Sequence, residues 1–459
     1  MTATAAPGAE TPPAPAPAPV SFAQAVAFWF RLGFVSFGGP AGQIALMHEE
    51  LVVRRRWISE RRFLHALNFC MVLPGPEAQQ LATYIGWLMH RSRGALAAGG
   101  LFVLPSFFIL IALSWLYMAF GSVPVVAGLF YGIKPAITAI VFAAAWRIGT
   151  RALGNGWLRG IAAAAFVAIF AFDVPFPLIV LAAAALGHLG GRLARGRFAV
   201  GGGHGLAAGS ASSPALIDDA MPPPPHAVFT WPRFARVAAF FVGLWLAAIG
   251  GLWLAAGPNA VLTQMAWFFT KAALLTFGGA YAVLPYVTQG AVEHFHWLTA
   301  PQMIDGLALG ETTPGPLIMV VAFVAFVGGW TKAIFGADSL FLAGAVAAAV
   351  VTFFTFLPSF FFILAGGPFI ESTHGDLRFT APLAGITAAV VGVIVNLAVF
   401  FAVHVLWPGG LAGRFEWPAA LIGIAAALAL FQFRTGVISV VIVSALCGAA
   451  LALAKPLFG

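Results

Sequence analysis

Leu73-Pro74-Gly75-Pro76-Glu77-Ala78-Gln79-Gln80-Leu81-Ala82-Thr83-Tyr84-Ile85-Gly86-Trp87 sets a Pro-Gly-Pro break inside a largely apolar run. Proline removes a backbone donor and glycine opens the turn, so a helix must stop here. Open backbone at membrane depth is tolerated only where protein or water covers it. The break returns 240 residues later as Pro314-Gly315-Pro316, and the same shift carries Phe37-Gly38-Gly39 onto Phe277-Gly278-Gly279. Trp57 maps in this way onto Trp297, Leu67 onto Leu307 and Arg31 onto Lys271. A register that survives loops as well as apolar runs marks one module written twice.

Composition agrees on the class: 61% apolar residues and 8% charged leave too little polar surface for a water-soluble chain of 459 residues. The chain reads as an all-α polytopic membrane protein. Residues 1–21 are Ala/Pro-rich without an apolar core, which predicts a disordered tail and no signal peptide. Cys70 and Cys447 stand alone in apolar runs, so no disulfide framework and no cysteine metal site is expected. The net charge of +8 sits in short loops between spans, where it sets topology and does not point to nucleic acid. His48-Glu49-Glu50-Leu51-Val52 lacks the second histidine of a zinc hydrolase motif, so no metal or other cofactor is expected there.

Apolar runs long enough to approach the 30 Å or so of hydrocarbon divide the chain into an N-terminal repeat (22–191), a Gly/Pro-rich cytoplasmic linker (192–232), an unmatched span (233–256) and a C-terminal repeat (257–459). Leu104-Pro105-Ser106-Phe107-Phe108 returns as Leu357-Pro358-Ser359-Phe360-Phe361 with the shift grown to 253, which places an insertion near Trp330 to Ser339. Arg54, Arg55, Arg56, Arg61 and Arg62 crowd one loop, while its counterpart, Thr288 to Gln302, holds no Lys or Arg. The positive-inside rule then sets the two loops on opposite sides, predicting an inverted-topology repeat with the unmatched span flipping the second half. With the loops at 54–62 and 91–93 both cytoplasmic, the segment between them must be re-entrant, reversing at Pro74-Gly75-Pro76. The first segment either breaks similarly at Gly38-Gly39-Pro40 or crosses fully.

An anion site needs positive charge and oriented donors away from bulk water, and helix N-termini after Gly-rich breaks supply donors. Inversion would gather Gly38, Gly39, Pro40, Pro74, Gly75, Pro76, Gly278, Gly279, Pro314, Gly315 and Pro316 near one midplane. Ser36, Thr276, Thr312 and Thr313 would add hydroxyls there. Arg31 and Lys271 are the candidate cations, because a charge at the centre of a span costs roughly 2.5–3.5 kcal/mol unless compensated; snorkelling to an interface is the plainer alternative. Glu77 either caps its half-helix or serves, with Glu311, as a protonatable carboxylate coupled to anion movement. Gln79 and Gln80, with Thr83 and Tyr84 one turn on, either line a polar path or bond between helices. Lys134 and Asp173 are expected near span ends.

These residues resemble the chromate ion transporter family in its long, two-domain bacterial form. The likeness rests on Phe37-Gly38-Gly39-Pro40, on Leu73 through Trp87, on Thr276-Phe277-Gly278-Gly279 and on Thr313-Pro314-Gly315-Pro316, and it runs from about Phe22 to the C-terminus. The resemblance implies a multi-pass bacterial inner-membrane protein that exports chromate from the cytoplasm and confers chromate resistance, with sulfate as look-alike anion. Ala280 stands where the first half has Pro40, and no acidic-Gln-Gln run follows Pro316. The two halves therefore cannot supply identical ligands.

No GxxxxGK[ST] sequence is present, so export would draw on the membrane potential through alternating access, with a coupling proton or counter-anion left open. Membrane lipid is the expected surround, and a homodimer remains open. One rival is a sulfate or other oxyanion permease of the same architecture; another is a membrane enzyme using Glu77, Glu311 and His48, disfavoured because no nucleophile stands beside a base.

Overall fold

The computed structural model describes residues 17–37, 39–193, 214–218, 221–222, 224–372 and 380–458. Among these residues the regular structure is helical apart from one isolated bridge, Ile58 with Ile217. Most of residues 1–21, Gly38 and the linker from 194 to 213 lie outside the described residues.

Helix α1 (Phe22–Val35) opens on a capping box between Ser21 and Gln24 and stops at Ser36. At 14 residues it is about 21 Å long, short of the hydrocarbon thickness. Helix α2 (Gly39–His48) then runs into a π-helical turn, Glu49–Arg54. Phe22 meets the ring of His90 at 5.6 Å, and the Arg55 guanidinium sits 4.9 Å over the Phe28 ring. Both ends of this first hairpin therefore lie on the basic face, and the segment enters and leaves on one side.

The second hairpin repeats the pattern with α3 (Glu60–Val72), the Pro-Gly-Pro break and the start of α4 (Glu77–Phe120). Helix α4 breaks at His90 and Arg91, where φ of Arg91 is 56°. Its two arms fold against each other through glycine: a Cβ on Gly86 would fall 2.4 Å from the Gly94 carbonyl oxygen, and one on Gly94 2.0 Å from that of Gly86. Residues 77–89 thus return to the basic face and residues 92–120 cross the membrane, as the loop charges required.

Helix α5 (Pro124–Ala152) crosses back, and α6 (Gly156–Phe172) turns into α7 (Phe176–Leu193) at Asp173, whose φ of 49° ends the helix. Helix α8 (Trp231–Ala256) is the unmatched span and lies on the periphery, with only Phe241 buried. The second repeat follows as α9 (Val261–Leu275), α10 (Ala280–Thr288) with a π-helical turn to His294, α11 (Ala300–Thr312), α12 (Val320–Thr331) and α13 (Leu340–Ser372). It closes with α14 (Thr380–Leu406), α15 (Trp417–Phe431) and α16 (Val437–Phe458). The extra residues of this repeat form the loop between α12 and α13, where the first repeat uses only the break at His90 and Arg91.

Three contacts show that the repeats are inverted. Glu371, near the end of α13, accepts from Tyr84 at 2.5 Å and faces Arg62 at 3.5 Å on the basic side. Phe341, at the start of α13, meets Trp115, near the end of α4, with ring centroids 6.3 Å apart. The long arm of α4 and its repeat α13 are therefore antiparallel. The outer layer interlocks by exchange, because α5 packs on α15 and α16 while α14 packs on α6 and α7. Gly132 and its repeat mate Gly385 carry these crossings: a Cβ would fall 1.9 Å from the Ser444 carbonyl oxygen in one case and 2.3 Å from that of Ala183 in the other. Close backbone approach at small residues is how helices hold together where lipid gives no hydrophobic drive.

Candidate functional site

The tips of the broken hairpins meet and exchange hydrogen bonds. Gly75 N–H donates to the Thr276 carbonyl at 2.7 Å, and Gly315 N–H donates to the Ser36 carbonyl at 2.8 Å. These are repeat-related bonds, each running from a Pro-Gly-Pro turn in one half to the residue before Phe-Gly-Gly in the other. Both glycines sit at positive φ, +129° and +96°, which an L side chain rarely adopts. Pro74, Pro76, Pro314 and Pro316 flank them and fix the turns.

Serines behind the tips lock the crossing from the partner repeat. A Cβ on Gly75 would lie 2.5 Å from Ser359 Oγ, and a Cβ on Gly315 would lie 2.8 Å from Ser106 Cβ. Gln43, fully buried, donates its amide to the carbonyls of Ser36 at 3.2 Å and Gly315 at 2.5 Å, tying both hairpins of one tip together. Gln80 donates to the Pro74 carbonyl at 2.8 Å, and Gln79 donates to Thr83 Oγ1 at 3.0 Å. The amide oxygens of Gln43, Gln79 and Gln80 and the hydroxyl of Ser106 are buried without a hydrogen-bond partner among the described residues. Buried polar atoms without a partner are uncommon in native interiors, and each calls for a water, an ion or another polar group to meet it.

The donors differ from those expected. The amides of Gly75 and Gly315 are spent across the crossing, not left free. The hydroxyls of Ser36, Thr276, Thr312 and Thr313 each donate to a carbonyl in their own helix, as with Ser36 to Leu32 at 2.6 Å and Thr276 to Ala272 at 2.7 Å. A hydroxyl has one hydrogen, so these groups face the crossing as acceptors. What remains are first-turn amides, which have no intrahelical acceptor, at the starts of α2 (Gly39 and, past Pro40, which has no N–H, Ala41 and Gly42), α4 and α10. Gly278 and Gly279, at φ of +79° and +96°, turn the chain so that α10 begins at the crossing. Gly38 lies outside the described residues.

Glu77 is the first residue of α4, and Gly279 of the other repeat approaches its carboxylate closely enough that a Cβ there would be 3.9 Å from Oε1. A carboxyl side chain thus stands at a helix N-terminus beside the opposite break, where the dipole favours its charged form. Glu311, buried one turn before its own break, accepts from the Tyr281 hydroxyl.

Arg31 and Lys271 are not gathered into this crossing. Both are exposed, on stripes shared with Phe30 and Phe34 in one case and Trp267 and Leu274 in the other. Neither has a hydrogen-bond or ion-pair partner among the described residues. The register equivalence holds, but the helical phase points both cations away from the buried face. Lys134, expected near a span end, sits well inside α5 and faces Asp305 at 3.4 Å, with the Tyr117 hydroxyl donating to the same carboxylate at 2.9 Å. Pairing across repeats compensates the charge, which the linear sequence could not show.

Gln43, Ser106 and Ser359 were not singled out from sequence. For the serines a signal existed in the repeated Leu-Pro-Ser-Phe-Phe motif; Gln43 has Val283 at its repeat position, so no repeat marks it.

Broken hairpins entering from opposite faces and bonded tip to tip, within long antiparallel helices, define a membrane transporter built as an inverted repeat. The chain belongs to the chromate transporter family, whose profile matches residues 23–188 and 263–449, one stretch in each half. It is 29% identical to the chromate transport protein of Cupriavidus metallidurans over 90% of this chain and 88% of that protein. It is 33% identical to the chromate transport protein of Pseudomonas aeruginosa over 82% and 80%, and 28% identical to a probable chromate transport protein of Synechococcus elongatus over 90% of each. No solved structure matches the chain significantly.

Proposed function

We propose that this protein exports chromate from the cytoplasm by alternating access about the tip crossing, with the membrane potential as driving force. The observation that carries the reading is the reciprocal bond pair, Gly75 to Thr276 and Gly315 to Ser36, which makes one centre reachable in principle from either face. A tetrahedral dianion at this centre is held by first-turn amides of α2, α4 and α10 and by the Ser106 hydroxyl. Glu77, whose carboxyl group stands beside the opposite break, competes with the anion for these donors, and its protonation would remove that competition, linking anion movement to a proton.

Two repeat-crossing clusters serve as gates. On the basic face Arg62 and Tyr84 of the first repeat hold Glu371 of the second. On the opposite face Lys134 and Tyr117 of the first repeat hold Asp305 of the second. Opening one while the other stays latched exposes the crossing to a single side.

Moving one charge through 100 mV is worth about 2.3 kcal/mol, so a dianion leaving an inside-negative cell gains about 4.6 kcal/mol. That supports a gradient on the order of a thousandfold without ATP. Proteoliposomes with imposed voltage and pH gradients, loaded with labelled chromate or sulfate, test the reading. Chromate flux toward the positive side, rising with voltage, is expected; sulfate uptake without chromate flux would reject it.

A further inference from the structure

A groove of about 360 Å³ lies between the end of α8 and the exposed side of α9, walled by Trp253, Trp267 and Phe268, with Thr263, Gln264 and Lys271 supplying its polar atoms. Because α8 buries only Phe241, the groove opens sideways to lipid. It lies toward the end of α8 and the start of α9, the face opposite the arginine-rich loops, and so in the outer leaflet.

Three observations point to an anionic occupant. Lys271 is exposed within an apolar helix and has no hydrogen-bond or ion-pair partner among the described residues, a placement that is costly in lipid if nothing answers it. No carboxylate lines the groove. Thr263 is only 7% exposed, yet its Oγ1 has no hydrogen-bond partner. Threonines deeper in this bundle, such as Thr270 and Thr276, donate to the carbonyl four residues back. Thr263 sits in the first turn of α9 and has no helical carbonyl behind it.

Geometry favours a lipid over a free ion. Lys271 lies ten residues into α9, about 15 Å from its start, and side chains on a helix tilt toward its N-terminus. The ammonium therefore rises along the Gln264 and Trp267 stripe toward the outer interface, where headgroups lie. Tryptophan at that level presents an apolar face to acyl chains. The Trp245 indole N–H donates to Thr270 Oγ1 at 3.1 Å and pins α8 against α9, holding the walls in place.

We propose that this groove binds one anionic phospholipid of the outer leaflet, with Lys271 pairing its phosphate, Thr263 donating to it, and Trp253 and Trp267 flanking an acyl chain. Since α8 is unrepeated, the site belongs to the second half alone. Native mass spectrometry of the full chain in detergent, with phosphatidylglycerol or phosphatidylcholine in equal amount, reads retention independently of transport. The wild type should retain phosphatidylglycerol several-fold over phosphatidylcholine; Lys271→Gln should lose that preference, Lys271→Arg should keep it, and Thr263→Val should weaken it. Equal retention of both lipids, or undiminished phosphatidylglycerol in Lys271→Gln, would overturn the assignment. So would displacement of the lipid by millimolar inorganic phosphate or chromate, which would give the groove to a free oxyanion.

Discussion

Gly315→Ala places a methyl group at 2.8 Å from Ser106 Cβ, on a residue held at φ +96°. The backbone term costs about 1–2 kcal/mol, because an L residue is strained there, and the overpacked contact adds about 1–3 kcal/mol. Only the second term depends on Ser106. Ser106→Gly, which alone costs under about 1 kcal/mol as a helix-interior glycine, should therefore recover about 1–3 kcal/mol of the Gly315→Ala loss. Ser359→Gly should recover nothing at Gly315, since that serine lies behind Gly75 at 2.5 Å; there it should relieve only part of Gly75→Ala, because Gln80 Nε2 stands at 2.6 Å on the other side. Reversible unfolding in mixed micelles, run as double-mutant cycles, measures both couplings. The crossed pattern of 315 with 106 and 75 with 359 is the signature of inversion. Coupling of 315 with 359, or additivity in every cycle within about 0.5 kcal/mol, would refute the tip geometry on which the site rests.

Gln43→Leu removes the amide that joins the Ser36 and Gly315 carbonyls, and should cost about 1–3 kcal/mol in the same unfolding assay. Glu371→Gln should loosen the cytoplasmic gate, so that a cysteine at Ser359, in a background lacking Cys70 and Cys447, reacts several-fold faster with a reagent supplied from the cytoplasmic side. Asp305→Asn should raise the rate from the opposite side instead; unchanged rates in both would remove these clusters from gating. Outside the membrane, the His226 ring nitrogen lies 2.9 Å from the Trp87 carbonyl, and burial holds its pKa below the ordinary value of 6.5. A depressed histidine contributes stability above pH 6.5 or so that is lost as pH falls through the folded value. Proteolysis of the 224–233 segment should accelerate between pH 7.5 and 5.5 in the wild type more than in His226→Gln, with equal acceleration as the contrary result.

Much of the architecture was legible because it is written in backbone chemistry. Pro-Gly-Pro cannot continue a helix whatever surrounds it, and arginine loops record which face is cytoplasmic, so the hairpin at Leu73 to Glu77 and the inversion follow from local rules. The first hairpin was ambiguous because Gly38-Gly39-Pro40 permits either a break or a kinked crossing; the packing of Phe22 on His90 and Arg55 on Phe28 decided it. The site was legible as a set of tips but not as a set of bonds. Ser36 and Thr276 were expected as hydroxyl donors, yet it is their carbonyls, a group every residue carries, that bond across the crossing.

Sequence by itself determined the class, the doubled module, the positions of the breaks and their orientation, since each depends on properties a residue carries anywhere: hydropathy, a missing N–H, a charge. Tertiary structure alone decided which donors are spent, which charges are paired and where Arg31 and Lys271 point. Those outcomes depend on helical phase and on partners more than two hundred residues away, as when Glu371 closes over Arg62 and Tyr84. A cation in an apolar run signals a compensating partner without naming it; Lys134 found Asp305 across the repeat, while Lys271 was turned toward the bilayer.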